Sequence, residues 1–190
     1  MHKIRQSCLG SLAKLNRVRS FLPLETKKKL YNALILPHID YCCVVWMDCG
    51  ATLSHKIERL QNYGMRLITS SPRLACSAEL RSRLKWVTLE QRRKLFRLAL
   101  VHKCLHGRAP QYLCSKFATN RSLGLRMTRG SNNLHLKRPH TNFYRNSCEF
   151  QGASDWNYLP NSIRPFTPSL PLKVIGRTCS WIAVSVFIYL

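Results

Sequence analysis

Apolar residues recur three or four apart through much of the chain, the spacing of helices buried on one side. Ile4, Cys8, Leu12, Leu15 and Val18 share one face of a helix over about residues 4–18, with Gln6, Lys14 and Arg17 on the other side. Phe21-Leu22-Pro23 ends that pattern. A second helix is expected from about Glu25 to Leu36, stopping or kinking before Pro37, because proline disfavours helix in the residue ahead of it. The apolar run from His38 to Trp46 fits helix or strand, and its helical neighbours favour helix. The next stretch has the cleanest pattern. Thr52 is placed to cap it, and Leu53, Ile57, Leu60, Gly64, Leu67 and Ile68 form a stripe over four turns. Gly64 lies inside that stripe, where a missing side chain lets another helix come close.

Ser77 can cap a short helix to about Leu84. Thr88 and Gln91 have capping-box spacing for a longer one ending at Gly107, and its second half is apolar almost all round. The character then changes. From Arg92 to Cys148 there is no Asp or Glu, while Gly, Ser, Asn and Pro accumulate from about residue 117. That region reads as a basic, turn-rich linker with short strands at 134–136 and 143–150. Residues 152–160 read as a short helix ending at Pro160.

Charge changes the picture more than length does. With 190 residues, 45% of them apolar, the chain can bury a true core. It also carries 31 Lys and Arg against 8 Asp and Glu, a formal net charge of +23. Such a surplus repels itself unless a polyanion screens it, so nucleic acid is the first partner to expect. Lys27, Lys28 and Lys29 fall in a first helical turn, where cations oppose the helix dipole and an anionic ligand would relieve the cost. Arg59 and Arg66, seven apart, project from one side of their helix, as a solvated polar face or as phosphate contacts. Arg92 and Arg93 lie in the first half of the long helix, and Arg126, Arg129, Lys137, Arg138 and Arg145 in the basic region. Phe143, Tyr144 and Trp156, interleaved with these cations, could stack on bases or belong to the core.

Other chemistries find little support. Eight carboxylates, widely spaced, offer no cluster for two-metal phosphoryl transfer, and no GxSxG, HExxH or phosphate-cradling glycine loop occurs. His102, Cys104 and His106 form the densest local group of metal-ligating residues, followed by His38, Cys42 and Cys43, neither with a second pair at zinc-site spacing. Nine cysteines cannot all pair internally. Cys8, Cys42, Cys43 and Cys104 sit among apolar residues and read as buried thiols in a reducing compartment. The N-terminal residues have no continuous apolar stretch of the secretory type, and the apolar run from Trp181 to Leu190 is too short to span a membrane.

An ordered series of residues adds a family resemblance. Phe21-Leu22-Pro23, the run from Lys29 through Tyr31-Asn32-Ala33-Leu34-Ile35-Leu36-Pro37-His38-Ile39-Asp40-Tyr41-Cys42, and Val45-Trp46 open it. Lys56 to Asn62, Arg66-Leu67-Ile68-Thr69, Leu84-x-Trp86-x-x-Leu89-x-x-Arg92-Arg93 and Gly107-x-Ala109-Pro110-x-Tyr112-Leu113 follow. Arg138-Pro139-x-Thr141-Asn142, Gly152-Ala153, Trp156-Asn157 and Leu159-Pro160 close it. Together, over about residues 3–173, they resemble the region after the palm in non-LTR (LINE-type, jockey-like) retrotransposon reverse transcriptases. The resemblance implies a helical thumb over about residues 4–107 that holds a template–primer duplex, followed by a post-thumb segment. The YxDD-type box of the palm and the family's endonuclease domain are not in this sequence, so polymerase chemistry does not carry over. Residues 174–190 are apolar where the family closes with a polar amphipathic helix.

The expectation is a mainly α protein: a helical thumb-like bundle followed by a basic loop-rich region with minor β. Residues 1–116 form the bundle, 117–142 a basic linker, 143–173 the post-thumb segment and 174–190 a divergent tail. Function is expected to be non-catalytic gripping of RNA or DNA, best an RNA–DNA hybrid, in the cytoplasm or nucleus. No cofactor, small-molecule substrate or membrane role is expected. The phosphate contacts would be Lys27, Lys28, Lys29, Arg59, Arg66, Arg92, Arg93, Arg126, Arg129, Lys137, Arg138 and Arg145. The alternative is a small zinc-stabilised interaction module built on Cys and His.

Overall fold

The computed structural model describes residues 2–46, 50–124 and 130–160. The fold is mainly helical, as the periodicity requires, and it divides into two compact units between Leu89 and Glu90. The division falls inside the span that reads from sequence as one domain over 1–116, just ahead of the acid-free stretch that begins after Glu90. Helix α7, Leu89–Leu105, begins at that boundary.

The first unit contains α1 (His2–Val18), α2 (Leu24–Leu34), α3 (Leu36–Asp40), α4 (Cys43–Trp46), α5 (Ala51–Thr69) and α6 (Ser77–Leu84). Helices α1, α2 and α5 pack pairwise, with α3 on α1 and α2 and with α6 on α5. Cys8, Leu12 and Leu15 of α1 meet Tyr31, Ile39, Ile57, Leu60, Met65, Leu67 and Ile68 in one buried cluster. Tyr31 lies at its centre, fully buried, its ring 4.7 Å from that of Trp86. Gly64 makes this possible. A Cβ at Gly64 would stand 2.3 Å from Tyr31 Cε2, so the helix–helix approach expected from the sequence is filled by the tyrosine ring.

Several local expectations are corrected. The second helix does stop before Pro37, at Leu34 rather than Leu36, and Pro37 lies in the first turn of α3, where its missing N–H costs nothing. The run His38 to Trp46 is not one helix: it breaks at Tyr41 and Cys42, with Cys42 at φ 49°. The carbonyl of Tyr41 accepts from Trp46 Nε1 at 2.8 Å. Gly50, not Thr52, precedes α5, and Cys76, not Ser77, precedes α6.

The second unit contains α7, α8 (Gln111–Cys114), α9 (Asn142–Asn146) and α10 (Cys148–Tyr158). Its core is Val101, Cys104, Phe117, Leu134, Ala153 and Trp156. Gly152 brings α10 against α7, since a Cβ there would lie 2.9 Å from Val101 Cγ2. The strand expected at 143–150 is instead α9 and the start of α10. Thr141 Oγ1 accepts from the amide of Tyr144, and Ser147 Oγ from that of Phe150, so two side-chain caps start helices in place of the expected strand.

The expected linker is also tied down where it is described. Thr119 and Leu134 form an antiparallel bridge, with further backbone bonds from His135 to Ala118 and from Asn120 to Asn133. Asn157 completes it. Its Oδ1 accepts from the Leu134 amide at 2.8 Å and its Nδ2 donates to the Leu134 carbonyl at 2.9 Å, as a neighbouring strand would. Burial of Leu134 would otherwise leave both groups in need of partners. The tail expected at 174–190 lies outside the described residues.

Two outcomes test these arrangements. Gly64→Ala is expected to destabilise the first unit by about 1–3 kcal/mol through overpacking, while Gly10→Ala, which meets nothing within 4 Å, stabilises α1 by up to about 1 kcal/mol. Thermal unfolding of the two variants measures the difference. Asn157→Ala is expected to speed amide exchange at Leu134 far more than at Val101, because Val101 keeps its helical hydrogen bond.

Candidate nucleic-acid interface

The cations named from sequence part into three groups. Lys28 is half-buried and Lys29 exposed on α2; Arg59 is exposed on α5; Lys137, Arg138 and Arg145 are exposed in the second unit. Arg126 and Arg129 lie outside the described residues. Lys27, Arg92 and Arg93, only 6%, 7% and 9% exposed, are removed from the set of surface contacts.

Lys27 has a clear internal role. Its Nζ donates to Ser70 Oγ at 3.1 Å. Ser70 closes the nineteen-residue α5 in a left-handed conformation, φ 54°, so the ammonium stands at the negative end of that helix. Arg92 places its guanidinium over the Phe96 ring, 5.5 Å from the centroid. These residues sit on packed helix faces, where a long side chain is taken up by its neighbours before a ligand can reach it.

Arg59 and Arg66 share a side of α5 and still differ. Helix α6 packs against α5. Arg66 is half-buried there, Nη2 3.4 Å from the Ala75 carbonyl and Nε buried without a hydrogen-bond partner. Arg81 of α6 pairs with Glu58 at 3.6 Å. Only Arg59 of the pair keeps its charge in solvent, so the two-turn arginine pair is not one phosphate-facing surface.

The richest basic face lies outside that set. Lys3, Arg5, Lys14 and Arg17 of α1 are all exposed, and Arg19 follows them. Lys3, Gly10 and Arg17 are spaced by sevens on the side opposite Cys8, Leu12 and Leu15, and Lys14 stands one turn before Arg17. Helix α1 contains no acidic residue, and among the described residues none of these four cations makes an ion pair. The signal is the same periodicity that defines the apolar stripe, read for its opposite face.

In the second unit Asp155 and Glu149 are already engaged. Asp155 meets Lys94 at 3.2 Å and is held by Nε and Nη2 of Arg97, a pair that is largely buried. Glu149 accepts from Tyr144 Oη at 3.1 Å and lies 3.9 Å from Lys116. Lys137, Arg138 and Arg145 have no carboxylate partner among the described residues. Of the three interleaved aromatics, Trp156 is core and Tyr144 packs on Phe150, whereas Phe143 is 84% exposed.

Among the described residues the thiols and imidazoles do not assemble a metal centre. Cys8, Cys43 and Cys104 are buried as expected, but Cys42 is exposed. His102 and His106 stack with ring centroids 4.1 Å apart. Among the described residues no three of His, Cys, Asp or Glu come together in a way that could hold a metal ion. No helix among them is long and apolar enough to cross a membrane.

No family model matches the chain, and comparisons with curated proteins and with solved structures return no significant match.

The thiols give a pH-dependent outcome. Burial pushes Cys8 up to about 11, and burial with the neighbouring Cys114 thiol pushes Cys104 to about 11. Cys76 is fully exposed and faces the Glu79 and Ala78 amides at the start of α6, which hold its thiol below the usual value. The thiolate is the reactive form. Cys76 is therefore expected to alkylate first at pH 8, and Cys8 and Cys104 only on unfolding, as peptide mass mapping would report. The unfolded chain ionises these two thiols near 9 and the folded chain near 11, so the stability they contribute is complete below pH 9 and lost between 9 and 11.

Proposed function

We propose that the chain is the template–primer-gripping part of a non-LTR retrotransposon reverse transcriptase, acting inside the cell and carrying no polymerase site of its own. Its ligand is RNA or DNA, with an RNA–DNA hybrid as the preferred duplex. The observation that carries this reading is the outer face of α1, where Lys3, Lys14 and Arg17 are exposed on a helix without an acidic residue and make no ion pair among the described residues. A helix of that kind is self-repelling in water, and a phosphate backbone alongside it removes the repulsion while releasing condensed counterions. Lys29, Arg59 and the exposed cations of the second unit add sites of the same kind. The ordered residue series that resembles the reverse transcriptases supplies the family, and the exposed cations supply the chemistry.

Phosphate contacts of this type carry no base preference, so affinity should fall linearly with salt on logarithmic axes. Gel shifts of the full chain with an RNA–DNA hybrid at several salt concentrations test this. Replacing Lys3, Lys14 and Arg17 by Gln is expected to flatten the slope by about one for each phosphate-neutralising cation removed. Lys27→Met is expected to lower the melting temperature and leave the slope unchanged, because its ammonium is engaged inside the fold. Absent binding, or binding indifferent to salt, would defeat the proposal.

A further inference from the structure

Phe143 is the most informative exposed residue of the second unit. A phenylalanine that large normally supplies core area, and leaving it 84% in solvent forgoes that gain. Its exposure is imposed by its surroundings. The Thr141 hydroxyl caps α9 by accepting from the Tyr144 amide at 3.2 Å. Tyr144, the next residue, turns inward: its ring meets Phe150 edge-on at 6.0 Å and its hydroxyl donates to Glu149. Gln151 Nε2 donates to the Arg145 carbonyl at 3.0 Å, and Ser147 caps α10. Both ends of the five-residue helix are fixed, and the inward turn of Tyr144 leaves Phe143 facing outward.

The charge along this segment has one sign, and the nearby Glu149 carboxylate is engaged by Tyr144 and Lys116. Lys137, Arg138 and Arg145, all exposed, fall within the nine residues 137–145, together with His140, and there is no acid from Arg92 to Cys148. An exposed ring on a fixed support, with ammonium and guanidinium groups along the same short segment, is the combination that takes a nucleobase face and its phosphates at once. A duplex offers phosphates there but keeps its base faces stacked inside. An acidic peptide offers carboxylates without a planar partner for the ring.

We infer that residues 137–145 bind single-stranded nucleic acid, with Phe143 stacking on an unpaired base and Lys137, Arg138 and Arg145 holding the neighbouring phosphates. The inference rests on the proposed function for its class of partner and adds a second mode of contact, to an unpaired strand. Stacking is indifferent to base identity because every base has a π-face, so the segment would follow a strand without reading it.

The experiment is a fluorescence-anisotropy titration of the full chain with three probes: an oligothymidylate, an abasic phosphodiester oligomer of the same length and charge, and an RNA–DNA hybrid. Phe143→Ala is expected to weaken the oligothymidylate roughly tenfold, to leave the abasic oligomer and the hybrid unchanged, and to leave the melting temperature unchanged. Phe143→Trp is expected to retain full oligothymidylate affinity. Arg138→Gln should weaken the oligothymidylate and the abasic oligomer alike. Equal weakening of the first two probes by Phe143→Ala, or of neither, overturns the inference while hybrid binding keeps the proposed function. Polyglutamate serves as a fourth, control ligand: equal weakening of its binding by Phe143→Ala also overturns the inference and assigns the surface to an acidic protein. Failure of all three phosphate-bearing probes to bind overturns both readings.

Discussion

Eight carboxylates cannot neutralise thirty-one Lys and Arg, and the structure is organised around that shortage. In the second unit two acids are used inside. Asp155 draws Lys94 and Arg97 of α7 onto α10, and Glu149 joins Lys116 and Tyr144. A largely buried pair such as Arg97–Asp155 is costly to break, because the partner left behind keeps a desolvated charge. Other cations are accommodated without acids. Lys27 uses the C-terminal end of α5 and Arg92 the face of Phe96. Lys29, Arg59, Lys137, Arg138, Arg145 and the cations of α1 stay in water, and their mutual repulsion is what a polyanion would relieve.

Backbone approach is the second constraint, and both units meet it with glycine. Gly64 admits the Tyr31 ring into the centre of the first unit, and Gly152 admits Val101 beside α10 in the second. Interiors packed to this density yield discrete positions for their helices. The exposed side chains of α1 and α9 are thereby held on fixed supports. The basic face of α1 and the exposed Phe143 ring of α9 are consequences of inward-facing residues on the same short helices, Leu12 and Leu15 in one case and Tyr144 in the other.

Helix periodicity made most of the first unit legible. The α1 and α5 stripes, the role of Gly64 and the length of α6 follow from residues three, four and seven apart. The short strand expected at 143–150 is absent, because hydroxyl caps from Thr141 and Ser147 act locally and start two helices there. The stretch 117–142 reads as a linker for its composition. Its anchoring depends on Asn157, a residue more than twenty positions beyond Leu134, and no local pattern reveals such a partner.

The sequence by itself determined the helical class, the excess of cations and, at Gly64, one position where two elements must come close, because spacing and charge are properties of neighbours along the chain. Only the tertiary structure decided which cations remain in water. Lys27 and Lys29 are two residues apart, and Arg59 and Arg66 occupy the same side of one helix, yet within each pair one lies in solvent and the other is drawn into the fold. The difference is whether another helix or a helix terminus arrives from elsewhere in the chain to cover the side chain, and that arrival is set by packing.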